Sequence, residues 1–227
     1  MFEKQPQSIR DNINNLAQES IAKNDPCWWF DVLYQQAKND PHKIPWAKMR
    51  SHPYFQDWLD RLTEGDITPS VSVLVIGCGL GDDAEALSNK GFNNITAFDI
   101  SPKAIDWYKK RFPDSAVNYV VADLFELDPS WESQFDLVYE CRNIQALPLN
   151  VREEIIGNIG RLVAPQGILL VIDRLRADET QPSGPPWALS QSEFDLFHNY
   201  GLQTQKVDRF YDGDNQEVTT LRIEFKR

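Results

Sequence analysis

The residues with the clearest capacity for chemistry lie in one short run, Gly77-Cys78-Gly79-Leu80-Gly81-Asp82-Asp83. Glycines so spaced permit a tight turn and let a ligand lie against bare backbone, while the first N–H groups of a following helix are left unpaired. About 20 residues further on stands Asp99, where a carboxylate at a strand end accepts hydrogen bonds from ribose hydroxyls. Loop and acid together point to a ribose-bearing ligand. A dinucleotide loop would carry its third glycine one place later, where this chain has Asp82. Asp82 and Asp83 oppose a pyrophosphate at a helix start but suit a ligand bearing an ammonium and a sulfonium. The spacing therefore favours S-adenosylmethionine, with S-adenosylhomocysteine as product.

These residues need a strand before the loop, a helix after it and a second strand ending in the acid, and the pattern supplies all three. Val71 to Ile76 is a nearly continuous β-branched and leucine run, as expected of a strand covered on both faces. Helical and strand-like stretches then alternate: helix over Gly81–Lys90, strand over Asn94–Phe98, helix over Pro102–Arg111, strand over Val117–Val121. Further strands are predicted at Phe135–Tyr139 and Ile168–Ile172, with an amphipathic helix over Val151–Val163 between them. This is the rhythm of βαβ units and a parallel α/β sheet. The final third holds a proline-rich loop from Gln181 to Pro186, a helix over Gln191–Tyr200 and two strands, Leu202–Asp208 and Val218–Phe225. Leu221, Ile223 and Phe225 alternate with polar neighbours, which predicts an antiparallel or edge strand.

Ahead of the sheet, residues 1–66 read as a helical N-terminal segment, a cap or lid, and residues 67–227 as the cofactor-binding domain. Apolar residues recur at helical spacing from Ser8 to Lys23. An Asp25-Pro26 start leads to a helix carrying Trp28, Trp29 and Phe30, and a third helix bears Phe55, Trp58 and Leu59. Trp28, Trp29 and Phe30 are candidates for an acceptor-side lid, with packing against the core as the alternative.

The chain has 227 residues, 41% hydrophobic and 25% charged, which suits one folded core rather than disorder. A net charge of -11 opposes a phosphate backbone, so nucleic acid is not an expected partner. No apolar leader and no membrane-length run is present, which predicts a cytoplasmic protein without a membrane partner, a monomer or weak dimer. Cys27, Cys78 and Cys141 lie in separate segments and form no C-x-x-C pair, so free thiols and no metal site are expected. His42, His52 and His198 are read as ordinary titrating side chains, and no catalytic histidine is assigned. Arg142, after a predicted strand, is a candidate to orient an anionic or carboxylate-bearing acceptor. Arg152, at a helix start, is a second acceptor-side candidate.

Several separated motifs resemble the thiopurine methyltransferase family of class I methyltransferases, which includes plant thiol and halide methyltransferases. They are Val75 to Asp83, Ala97 to Pro102, Ala122-Asp123-Leu124-Phe125, Ala146 to Arg152, Pro165 to Leu170 and Gly184-Pro185-Pro186-Trp187, along with Pro45-Trp46. The resemblance implies a Rossmann-like, mostly parallel sheet of seven strands with the last antiparallel. It implies cofactor contacts at Trp46, Gly77, Cys78, Gly79, Gly81, Asp83, Asp99 and Ile100. It further places Asp123 at the adenine amino group, Leu124 at the ring, and Glu140 or Cys141 near the methionine moiety. The family's aspartate after proline-tryptophan is Ala47 here, and the segment Tyr139 to Asn143 also departs from the pattern.

The leading expectation is methyl transfer to a small-molecule nucleophile, sulfur first or halide. Transfer to nitrogen or oxygen of a metabolite, and a non-catalytic S-adenosylmethionine-binding protein, are the competing readings.

Overall fold

Val73–Ile76 forms β1, and its four residues are all buried because the strand is sandwiched between helices on both faces. In the computed structural model, which describes residues 6–63, 65–213 and 218–227, β1 lies at the centre of a seven-stranded sheet. The other strands are β2 (Ile95–Asp99), β3 (Asn118–Val121), β4 (Phe135–Cys141), β5 (Val163–Leu175), β6 (Gln203–Asp212) and β7 (Val218–Lys226). Their spatial order is β3-β2-β1-β4-β5-β7-β6. The first five are parallel, and β7 runs antiparallel to both β5 and β6. Alternation at Leu221 to Phe225 thus signals an antiparallel strand, but β7 is interior and the exposed β6 forms the edge.

The helices preceding the sheet are α1 (Gln7–Ala22), α2 (Trp28–Ala37) and α3 (Pro53–Arg61). Those within it are α4 (Asp82–Lys90), α5 (Pro102–Arg111), α6 (Arg152–Leu162) and α7 (Gln191–Asp195). Helix α5 starts on Ser101, whose hydroxyl accepts from the Ala104 N–H, with Pro102 at the first position. Helix α2 begins two residues later than the Asp25-Pro26 pair suggests. Pro26 occupies a turn, and the Asp25 carboxylate accepts from the N–H groups of Cys27 and Trp28. The expected Gln191–Tyr200 helix divides into α7 and a 3₁₀ turn over Leu196–Tyr200.

Strand alternation sorts side chains into two cores. Leu74, Ile76, Val138, Leu169 and Val171 join α6 on one face. Val73, Val75, Leu137, Tyr139, Leu170 and Ile172 join α3, α4 and α5 on the other. A third cluster unites Leu16, Trp29, Leu33 and Tyr34 with Leu80, Ala104 and Trp107, so α1 and α2 are packed against α5 and the glycine loop. The Asp31 carboxylate reinforces this by accepting from the Ser101 hydroxyl at 2.6 Å.

Arg222 ties α3 to the antiparallel end of the sheet. It is 1% exposed, pairs with Asp57 at 2.9 Å and Asp208 at 2.6 Å, and donates to the Tyr54 carbonyl. Removing the guanidinium leaves two acids and a carbonyl without their donor. Both acids keep some solvent contact, so Arg222→Leu is expected to cost about 2–4 kcal/mol of unfolding free energy in a urea titration, less than for a fully enclosed pair.

Candidate functional site

The parallel strands all end on one edge, and a cavity of about 670 Å³ opens there, within the size range of small-molecule sites. Its floor is the β1–α4 turn. Gly77 and Gly79 both adopt φ +55, in the left-handed region that favours glycine. Asp99 at the end of β2 accepts from the Gly79 N–H at 2.9 Å through one oxygen and from the Ser101 N–H at 2.9 Å through the other. Burial raises its pKa from 3.8 to about 6, with nearby Asp31 adding to the rise, although both hydrogen bonds act in the opposite sense.

The roof comes from the N-terminal segment. Trp29, Phe30, Tyr34 and Trp46 line the cavity, and Trp46 stands edge-on to the other three at 5.9–6.1 Å between centroids. The Trp46 indole N–H donates to the Tyr34 hydroxyl at 2.7 Å. Asp83 joins floor to roof: its carboxylate accepts from the Ser51 hydroxyl, the His52 N–H and the Tyr139 hydroxyl at 2.7–2.9 Å.

Of the residues singled out from sequence, the cavity is lined by Trp29, Trp46, Gly77, Cys78, Gly79, Asp83, Asp99, Ile100, Leu124, Cys141 and Arg142. Five others lie outside its wall. Trp28 is one residue, about 100° of helix, from Trp29, and its ring sits beneath the Lys23 ammonium at 3.1 Å. Gly81 has φ +87, and a Cβ there would meet the Tyr108 ring at 2.3 Å, so its conformation and packing account for the glycine. The Asp123 carboxylate accepts from the Phe125 N–H in its own turn, while its neighbours Ala122 and Leu124 line the cavity.

Glu140 is fully buried on the face opposite Cys141. Its carboxylate accepts from the Asn143 and Ile144 N–H groups and lies beside the Asp173 carboxyl. Burial pushes both carboxyls up, Asp173 further through the Glu140 charge. Arg152 is 3% exposed and donates to the carbonyls of Leu147 and Trp187 beside Glu193. It fastens two loops together and lies outside the cavity wall.

His52 also departs from expectation. It is half-buried in the cavity wall, where burial, then the Arg142 charge, lowers its pKa to about 3, so it stays neutral. The thiols of Cys27, Cys78 and Cys141 are pushed up by burial and stay protonated. Tyr34, Asn143, Gln145 and Arg174 line the cavity without having been expected there. Tyr34 follows Phe30 at i+4, the same helix face, and Arg174 belongs to the charged Asp173-Arg174 pair that follows the apolar run Ile168–Ile172. Both signals are present in the sequence. Among the described residues, no cluster of three or more His, Cys, Asp or Glu stands close enough to hold a metal ion. No described helix is long and apolar enough to cross a membrane.

A doubly wound sheet with one antiparallel strand near its edge, a glycine turn after the first strand and an acid ending the second define the Rossmann-like class I methyltransferase fold. The N-methyltransferase NodS from Bradyrhizobium japonicum WM9, solved with S-adenosyl-L-homocysteine, shares it. Its TM-score is 0.65 over 86% of this chain and 96% of that one, at 21% identity. The chain belongs to the thiopurine S-methyltransferase (TPMT) family, which it matches over residues 35–226, and is an S-adenosylmethionine-dependent methyltransferase. A probable thiopurine S-methyltransferase of Yarrowia lipolytica is 24% identical over 70% of this chain and 80% of its own length. A demethylmenaquinone methyltransferase of Leptospira interrogans is 26% identical over 73% of this chain and 59% of its own.

Proposed function

We propose that this methyltransferase acts on the sulfur of a small molecule bound in the cavity under Trp29, Phe30 and Trp46. The observation that carries the reading is chemical: none of the titratable side chains described in the cavity wall is poised as a general base. His52 is held neutral with a pKa far below that of a useful base. Asp82, Asp83, Asp99 and Asp212 are each engaged by donors of the protein, and the three thiols stay protonated. A soft nucleophile that ionises readily reacts by in-line displacement once it is aligned and dry, so it needs no base. An amine or alcohol has a proton to lose and finds no acceptor for it here.

When bound, S-adenosylmethionine supplies an electrophilic methyl on a sulfonium. The chain's own residues do the rest. Asp99 accepts the ribose hydroxyls, Ile100 and Leu124 flank the base, and the backbone of Gly77 and Gly79 leaves room for the ligand. Cys141 borders the methionine end. The rings of Trp29, Phe30 and Trp46 exclude water and present π faces that attract a cation, with the N-terminal segment acting as a lid. The buried carboxylate pinned open by two N–H groups and the 670 Å³ of space beside it fit this ligand.

The test is a competition among a thiol, an amine and an alcohol of one carbon skeleton, with iodide as a fourth acceptor. The thiol is expected to have the highest kcat/KM by at least about two orders of magnitude. Equal or faster turnover of the amine or alcohol would refute the sulfur assignment, and favour transfer to nitrogen, the chemistry named for NodS, or to oxygen.

A further inference from the structure

The acids in the cavity wall are all engaged. Asp82 holds Arg111 through both oxygens at 2.8 and 2.9 Å. Asp83 accepts from Ser51, His52 and Tyr139, and Asp99 from Gly79 and Ser101. Asp212 accepts from the hydroxyls of Tyr54 and Thr220.

Of the five cations in the same wall, Arg10, Lys48 and Arg50 are exposed to solvent, and the two half-buried ones are not engaged as the acids are. Arg142 and Arg174 both line the cavity, and each has its Nε shut off from solvent without a hydrogen-bond partner. Among the described residues, the Arg142 side chain reaches only the Thr220 hydroxyl at 3.3 Å and Asp212 at 3.9 Å. Among the described residues, the Arg174 guanidinium makes no hydrogen bond or ion pair; its N–H to Gln145 comes from the backbone. Arg142 also adopts φ +68, a left-handed conformation that is costly for a side chain of this size and that gathers at ligand sites. Placing two guanidiniums side by side in a largely enclosed wall is unfavourable by desolvation and by like-charge repulsion, and burial and then the Arg142 charge depress the Arg174 pKa. An anion between them removes both penalties.

The sheet order sets where that anion lies. Arg142 follows β4 and Arg174 ends β5, whereas Asp99 ends β2, three strands from β5. At a strand spacing of roughly 4.8 Å the backbones carrying Arg142 and Arg174 are about 10 and 14 Å from that of the ribose-binding acid, at the opposite end of the cavity from the ribose. Two guanidiniums beside one acid, Asp212, leave about one positive charge, which matches a carboxylate better than a dianion.

We propose that Arg142 and Arg174 clamp a carboxylate of the methyl acceptor, so that the substrate class is thiol acids rather than neutral thiols. The inference rests on the sulfur reading above. Planar guanidiniums suit a carboxylate, and each such charge-assisted contact is worth a substantial factor in binding.

The probes are mercaptopropionate and its methyl ester, with KM and kcat measured for the wild type, Arg142→Met and Arg174→Met. S-adenosylhomocysteine affinity reports folding in each. Wild type is expected to favour the acid. Each substitution is expected to raise the KM of the acid about 10- to 100-fold more than that of the ester, with kcat changing little. Equal KM for acid and ester in the wild type would overturn the clamp. Equal rises for both probes in Arg174→Met would do the same, assigning the pair to the thiolate or to structure. If Arg174→Met fails to fold, the wild-type ratio and Arg142→Met decide. Should neither thiol be methylated while the acid still binds the S-adenosylhomocysteine-loaded wild type and not Arg174→Met, the sulfur assignment fails and the clamp stands.

Discussion

Asp99→Ala is expected to weaken S-adenosylmethionine binding by about 100-fold or more in titration calorimetry, without unfolding the sheet. Two ribose hydroxyls hydrogen-bonded to an ionised carboxylate are worth roughly 1.5–3 kcal/mol each, so losing both costs about 3 kcal/mol at the least. The same residue imposes a pH dependence. Burial raises its pKa from 3.8 to about 6, and the hydroxyls need the ionised form. Affinity should therefore be level above about pH 7 and fall as the pH drops through 6, approaching about tenfold per unit below it. Fold stability runs the other way. The folded-state pKa is raised, so the contribution of Asp99 to stability is fully present below pH 3.8 and lost as the pH rises through about 6. An affinity that is flat from pH 5 to 8, or unchanged in the alanine variant, would remove Asp99 from the binding site.

The second large effect is on folding. Gly81→Ala is expected to destabilise the protein by about 2–5 kcal/mol, the sum of a left-handed backbone penalty and a core clash. Gly81 has φ +87, and the added methyl would sit 2.3 Å from the Tyr108 ring and 2.9 Å from the Tyr119 hydroxyl. Neither ring can retreat easily. Tyr108 is 2% exposed, stacks on Tyr119 and donates to Glu85. Gly91→Ala separates the two contributions, since Gly91 has φ +108 but nothing within 4 Å of the added carbon. It should lose only the backbone part, about 1–2 kcal/mol in urea. Equal losses for the two variants would show that the Tyr108 clash relaxes away.

The contrast between these two glycines also shows how far the sequence can be read. Glycine spacing marks the turn and the strand–loop–helix context marks its use, but the sequence does not say which glycine faces ligand and which faces Tyr108. The same limit applies to Glu140 and Cys141. In a strand buried on both faces every residue is enclosed, so composition carries no parity signal. Only the packed sheet sends Glu140 toward α6 and Cys141 toward the cavity. Where polarity does alternate, as at Leu221 to Phe225, orientation is legible, but the insertion of β7 between β5 and β6 is not, because neighbour choice depends on contacts distant in sequence.

Element positions fare best where end signals are chemical. Helix α5 begins at Pro102 and ends at Arg111 as its serine cap and proline predict. Strand β5 instead starts at Val163, five residues before the expected Ile168, because Pro165-Gln166-Gly167 is carried inside the strand at an irregularity in its pairing with β4. In the site, Trp29 is legible as an aromatic at a helix start, while Trp46 is suggested only through the proline-tryptophan pair that resembles the family. Arg174 stands in the charged run Asp173-Arg174-Leu175-Arg176, which in the sequence is indistinguishable from a solvated strand end, and its place beside Arg142 appears only in the fold.

The most direct test of the account supplies one acceptor that carries a thiol, an amine and a hydroxyl, together with S-adenosylmethionine labelled with carbon-13 at its methyl. The product is read by the carbon chemical shift. A single product labelled on sulfur, formed by the wild type and nearly lost in Asp99→Ala when S-adenosylmethionine is held near the wild-type Kd, is the result expected. Label on nitrogen or oxygen, or undiminished product from Asp99→Ala at that concentration, would contradict it.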